Sequence, residues 1–371
     1  MLSVTVVRRP SVVTVCATAC LLMGVLAAFS CAQQTAAPAA GASSPATPDA
    51  KSNVAAPATT GETNTTTATK TPAKADVKPG EKKKVADAPI YIGAYSVDHE
   101  FQFITEECME IIRSKRILFG SRSWGLQLGN IMGNKDPKYK LTWEPYNNPQ
   151  ITDQDRVLKA DVFAQAKIVH YVFSAVPKRW AFLDDFLRKD PWKFGAKIDG
   201  AFQSLYCGPK KEAQQMAEEY FPMLDKLVKD FPNVKFAILT HPVSGEGPDM
   251  KGVYKAPESD WNIGGGDYSE AVIRRYYGKL PIFDIRDIVS THADGTTCTF
   301  DYQGKTYRKL CPEYNVKGGD LIHPNTPEAR DRMGKGFLLL LAKMYCADKL
   351  PPMDTPKPEI LQDKKPAAKK P

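Results

Sequence analysis

The chain has 371 residues, 25% of them charged and 43% hydrophobic, and a formal charge of +8. That charge sits mostly at the ends: residues 1–32, 33–87 and 351–371 carry +2 each, which leaves +2 for the span 88–350. So balanced a span gives no case for a nucleic-acid binder, and its length suits one α/β domain with a sizeable core.

Residues 1–32 read as an export signal: Arg8-Arg9, an apolar run from Val12 to Phe29, then small residues. Ser30-Cys31-Ala32 offers a cleavage site after Ala32, while Ala28-Phe29-Ser30-Cys31 loosely resembles a lipoprotein box with lipid attached at Cys31. A retained anchor is the third reading, although the run is short and carries Cys and Thr. The expected location is therefore the cell envelope, lipid-anchored, or a secreted or periplasmic state. Residues 33–88 are Ala, Pro, Thr, Ser and Lys with no aromatic residue. Such a segment buries too little apolar surface to offset its ordering entropy, and a disordered tether is expected. The Lys/Pro-rich stretch 351–371 gives the same expectation of a disordered tail, so the domain is expected over 89–350.

Within the domain, Ile104, Cys108, Ile111 and Ile112 fall at helical spacing. Arg116 to Gly120 is a short apolar run of strand type, ending in Ser121-Arg122-Ser123-Trp124-Gly125, and Leu126 to Met132 reads as a helix. A serine in such a turn stands at the carboxyl end of a strand, where open α/β sheets gather ligands. Serine there is also an ordinary turn or cap residue. Residues 134–160 read as loop, including Trp143-Glu144-Pro145. Trp124 and Trp143 could stack on a sugar face or simply pack under loops. Val157 to Phe173 is apolar at mixed spacing and leaves its type open.

Trp180 to Leu187 reads as a helix and Ile198 to Tyr206 as a strand, followed by the turn Tyr206-Cys207-Gly208-Pro209. Lys210 to Lys229 is an amphipathic helix, with Met216, Tyr220, Met223, Leu224 and Leu227 on one face. Val234 to Thr240 is a strand closed by His241-Pro242, which completes a βαβ unit. His241 could line a cleft at that strand end. Residues 243–268, with Gly264-Gly265-Gly266, read as a long rim loop, and Tyr268 to Tyr277 as a helix. Pro281 to Ile285 is a further strand, and His292 lies in a solvated loop. Alternating sequence around Gln303-Gly304 predicts a hairpin, with Cys298 and Cys311 at its two ends placed for a disulfide. Five cysteines in the domain leave at least one thiol free or paired elsewhere. No Cys-x-x-Cys or His/Cys cluster suggests a metal, and no cofactor is implied.

The domain closes with Gly318-Gly319-Asp320-Leu321-Ile322-His323-Pro324-Asn325 before a helix from Pro327 to Leu341. A carboxylate beside an imidazole fixes its tautomer and supports the imidazolium that a base acting on serine needs. The plainer reading is a polar helix entry with Asn325 as cap and Pro327 in the first turn. Asp-x-x-His-Pro-Asn before a last helix resembles the terminal block of the SGNH (GDSL-type) hydrolases. Phe119-Gly120-Ser121-Arg122-Ser123-Trp124-Gly125 is similar to the Phe-Gly-x-x-Ser-x-Gly form of that family's nucleophile block. The resemblance covers about 105–345. It implies a three-layer α/β/α sandwich with a mostly parallel sheet, in the SGNH and flavodoxin-like manner.

It further implies Ser123 as nucleophile, with Ser121 as the alternative, His323 as base and Asp320 as its orienting acid. Gly125, Ser121, Trp124, Tyr206 and His241 are the candidates for oxyanion support and substrate contact. Three elements depart from the family pattern: Gly120-Ser121-Arg122-Ser123 has one residue more than the common Gly-Asp-Ser and no Asp, no Gly block can be placed between the two ends, and the turn at Tyr206 has no Asn, the residue that donates to the oxyanion in that family. The resemblance thus implies an exported serine esterase whose partner is an ester-bearing small molecule or an acetylated polysaccharide. The alternatives are an O-acyltransferase and a non-catalytic cell-wall-binding module on the same fold.

Overall fold

The computed structural model describes residues 88–121, 123–129, 136–141, 143–146, 158–172, 180–204, 210–245, 260–316 and 322–362. The export-type leader with Cys31, the linker, Tyr206, Cys207 and Asp320 lie outside the described residues.

The elements follow as β1 (Tyr91–Ile92), α1 (Ala94–His99), α2 (Glu106–Ser114), β2 (Ile117–Ser121), α3 (Ser123–Gly129) and β3 (Trp143–Tyr146). Next come α4 (Val162–Gln165), β4 (Ile168–Val172), α5 (Ala181–Arg188), β5 (Gly200–Gln203), α6 (Lys210–Asp230) and β6 (Lys235–Leu239). The chain continues through α7 (Asp260–Tyr276), β7 (Ile282–Phe283), α8 (Ile285–Val289), β8 (Thr299–Tyr302), β9 (Lys305–Arg308) and α9 (Pro327–Tyr345). Seven strands form one sheet in the order β1-β7-β6-β5-β2-β4-β3, and every neighbouring pair is parallel.

The period-two alternation of a strand divides the core into two. Along β2, Ile117 and Phe119 enter one hydrophobic cluster while Leu118 enters the other. In β6, Ala237 and Leu239 join the first and Phe236 and Ile238 the second; in β7, Phe283 and Ile282 divide likewise. The first cluster is covered by α1, α2, α3, α8 and α9, the second by α4, α5, α6 and α7. Both faces being buried is why these strands read as apolar runs and not as alternating ones. The result is a three-layer α/β/α sandwich with a parallel main sheet, as the resemblance implies. Fully burying a Leu or Phe contributes on the order of 1.5–3 kcal/mol. In α9, Phe337 through Leu341 are all buried, so that helix is the main closure of its layer.

Several elements differ from expectation. Trp143–Tyr146 is an edge strand, although Pro145 argues for loop; an edge position tolerates proline because one side of the strand needs no ladder partner. The ambiguous stretch 157–173 contains the single turn α4 and then β4, a neighbour of β2. Helix α7 begins at Asp260, so Gly264-Gly265-Gly266 are helical rather than part of a loop. A Cβ on Gly265 would come within 2.3 Å of His241 Nδ1, so close packing there overrides poor helix propensity.

The expected hairpin is present as β8 and β9, turning through Gln303 and Gly304 with φ of 50° and 76°. Cys298 and Cys311 are bridged across it, and a second disulfide joins Cys108 to Cys346. The chain does not leave the domain at Leu350. Thr355 bonds to Lys343 Nζ and Glu100, and Ile360 and Leu361 pack on the second cluster. Among the described residues no helix is long and apolar enough to cross a membrane.

Candidate active site

Strand β2 borders the point where the crossovers part: from β2 the chain passes to β3, on the β4 side, whereas from its other neighbour β5 it passes to β6, on the opposite side. Such a switch point leaves a crevice at the strand's carboxyl end. Ser123 starts α3 just past that end. From the opposite end of the domain, His323 arrives in the loop before α9, and its Nε2 lies 2.6 Å from Ser123 Oγ across 200 residues of sequence. That is hydrogen-bond length for a hydroxyl and an imidazole.

The loop carrying His323 is fastened by backbone-directed bonds. Asn315 Nδ2 donates to His323 O at 3.1 Å, and Val316 N donates to Asn325 Oδ1 at 2.6 Å. The cap of α9 is Thr326, which accepts from Ala329 N at 3.3 Å, with Pro327 next in the helix. Asn325 therefore ties the loop to residue 316 and does not cap the helix. Trp124 is buried, its ring centroid 6.3 Å from that of His323.

A second serine–histidine pair lies beneath. Ser121 Oγ is 2.6 Å from His170 Nε2, and both residues are fully buried. The parallel register of β2 and β4 sets Phe119 beside His170, whose ring stacks on that of Phe119 at 5.1 Å. Gly125 covers the pair: a Cβ there would fall 1.8 Å from Ser121 Oγ and 2.6 Å from His170 Nε2. Burial pushes His170 down to about 3, so its ring is neutral near pH 7. Ser123, by contrast, is half-buried. A base with so low a pKa is poorly matched to proton abstraction near neutrality, and a sealed hydroxyl meets no substrate.

No family model matches the chain, and neither does any curated protein. Solved structures similar to it include a protein provisionally described as a platelet activating factor from Streptococcus pneumonia, at 13% identity and a TM-score of 0.35, covering 67% of this chain and 92% of that one. Another is the C-terminal catalytic domain of peptidoglycan O-acetyltransferase A from Streptococcus pneumoniae, at 14% identity and a TM-score of 0.34, covering 63% and 95%. A third is provisionally described as a GDSL-like lipase from Parabacteroides merdae, at 11% identity and a TM-score of 0.33, covering 62% and 96%. Likeness at this level transfers no chemistry; what the chain can do has to come from its own residues.

The other expected site residues are placed as follows. His241 follows β6 and is fully buried, with Nδ1 2.6 Å from Pro242 O and its ring edge-on to Trp261 at 4.7 Å. Gly125 lies over Ser121 and His170. Tyr206 and Asp320 fall outside the described residues. His170 and Asn315 carry no signal in the sequence, since one hides in an apolar run and the other acts through a backbone carbonyl.

A separate polar cluster fastens the far side of the sheet. Asp284 accepts from Tyr91 Oη at 2.6 Å, Thr240 Oγ1 at 2.8 Å and Asp287 N at 3.0 Å. Burial, then the neighbouring Asp287, raises the Asp284 pKa. Arg308 pairs with Asp287 at 2.8 Å. With three donors satisfied, the Asp284 carboxyl is committed to capping α8 and joining β1 to β6.

Proposed function

We propose that the chain is an exported serine esterase that cleaves acyl esters, acetylated glycans being the substrate class that suits export. The reading rests on one observation above all, the 2.6 Å approach of His323 Nε2 to Ser123 Oγ at the carboxyl end of the central strand. Ser123 Oγ attacks the ester carbonyl and His323 Nε2 takes its proton. Asp320 orients the imidazole from the same loop. Backbone amides near Ser123 and Gly125 hold the oxyanion. The proton passes from His323 to the departing alcohol, and water then attacks the acyl-enzyme with His323 again as base. Trp124 walls the approach to His323.

The test is hydrolysis of an aryl acetate by the full chain, by Ser123→Ala and by Ser121→Ala. The expected result is a loss of roughly ten-thousand-fold or more in kcat for Ser123→Ala. Ser121→Ala should keep measurable turnover. Equal activity in wild type and a folded Ser123→Ala removes Ser123 from the mechanism, and inactivity of a folded wild type on every ester tried favours a binding module.

A further inference from the structure

Next to the hairpin, three soft or borderline ligand atoms converge. His292 Nε2 lies 3.0 Å from Cys298 Sγ, and with Cys311 Sγ the three atoms lie within 4.8 Å of one another. The other ring nitrogen of His292, Nδ1, is paired with the Glu313 carboxylate. That carboxylate accepts the Nδ1 proton and turns the Nε2 lone pair toward the sulfurs. A carboxylate behind the histidine is the usual outer support of a metal-bound imidazole.

We infer that the reduced form of this loop is a zinc site, with Cys298, Cys311 and His292 as ligands and Glu313 as their outer support. Tetrahedral zinc holds thiolate at about 2.3 Å and imidazole at about 2.0–2.1 Å, so its ligand atoms stand roughly 3.5–4 Å apart. In the bridged form the atoms stand closer than that, the two sulfurs bonded to each other and His292 Nε2 3.0 Å from Cys298 Sγ, so reduction has to let them spread around the metal. Two thiolates and an imidazole select zinc over magnesium or calcium, which take oxygen.

The ligands are held by the backbone independently of the bridge. Cys298 N donates to Ser290 O at 2.8 Å, and Cys298 O accepts from Lys309 N at 2.9 Å. Cys311 N donates to Val289 O at 3.1 Å, and Cys311 O accepts from Tyr314 N at 3.0 Å. His292 N donates to Thr296 O at 2.8 Å. Opening the disulfide therefore leaves both sulfurs and the imidazole facing one another. A thiol reductant gives up two hydrogens, becomes a disulfide itself and leaves Cys298 and Cys311 as thiols. Zinc then displaces the two thiol protons and takes the His292 lone pair, with water in the fourth position. Oxidation and metal binding compete for the same two sulfurs.

The full chain is reduced with a phosphine, desalted without oxygen and titrated with Co²⁺, which reports thiolate ligation through its near-ultraviolet charge-transfer bands. Those bands are expected at one cobalt per chain, displaced by Zn²⁺. His292→Ala retains all eight cysteines, so it should weaken binding at least tenfold while thiols elsewhere are unchanged. Glu313→Gln should weaken it about 10- to 100-fold. Near-ultraviolet circular dichroism of the oxidised variants checks that they fold. Zinc should also protect Cys298 and Cys311 from alkylation, read by mass spectrometry. No thiolate bands in a protein whose thiols titrate as free would overturn the inference. So would bands that His292→Ala leaves intact, or protection confined to other cysteines.

Discussion

Gly125 is the tightest single constraint at the site. Its missing side chain is what lets the α3 turn descend onto Ser121 and His170. Gly125→Ala must push that turn outward and carry Ser123 away from His323. Overpacking of this kind costs about 1–3 kcal/mol, and a displacement of ~1 Å at a reacting group can cost on the order of a hundredfold in rate. The variant should therefore melt lower and hydrolyse an aryl ester about a hundredfold more slowly. Thermal denaturation alongside initial rates checks both.

His170 makes a second prediction at the same scale. Its folded pKa is depressed to about 3 by burial, against about 6.5 unfolded. The unfolded chain thus binds the extra proton between those values. Stability from this group is complete above about pH 6.5 and is lost as pH falls from there toward 3, at no more than about 1.4 kcal/mol per pH unit. Urea denaturation at a series of pH values should show a shallower acid slope for His170→Gln than for wild type.

Among the elements, α2 and α9 are joined at the extremes of the domain. The bridge Cys108–Cys346 closes a separation of 238 residues, against 13 for Cys298–Cys311. In the chain-entropy account the longer loop stabilises more. The double variant Cys108→Ala/Cys346→Ala should lose roughly 2–5 kcal/mol in denaturant titrations. The two bridges also mark what could be read from the chain. The hairpin bridge was legible because its cysteines flank one alternating segment. Cys108 lies in α2 and Cys346 just past the end of α9, far apart in sequence, and only the three-layer packing brings them together. Helix α6 was legible from its apolar stripe. Strand β4 was not, because a strand buried on both faces loses its alternation and looks like any apolar run. Helix α7 was hidden by three glycines, two of which, Gly265 and Gly266, pack against His241 and Tyr307 across the fold.

For the whole molecule, seven parallel strands with helices on both faces bring the two ends of the domain to the carboxyl edge of β2. Ser123 and His323 were nameable beforehand because each sits in a recognisable short block. Their pairing, and the buried second pair below, depend on sheet register that no short block encodes. The most direct test of Ser123 as nucleophile is the position of a covalent adduct. The full chain is treated with a fluorophosphonate and digested with trypsin. Cleavage after Arg122 separates Ser121 from Ser123 into different peptides. One phosphonyl group per chain is expected, on the peptide that begins at Ser123 and absent from Ser123→Ala. An adduct on the peptide ending at Arg122, or none on folded wild-type protein, would contradict that expectation.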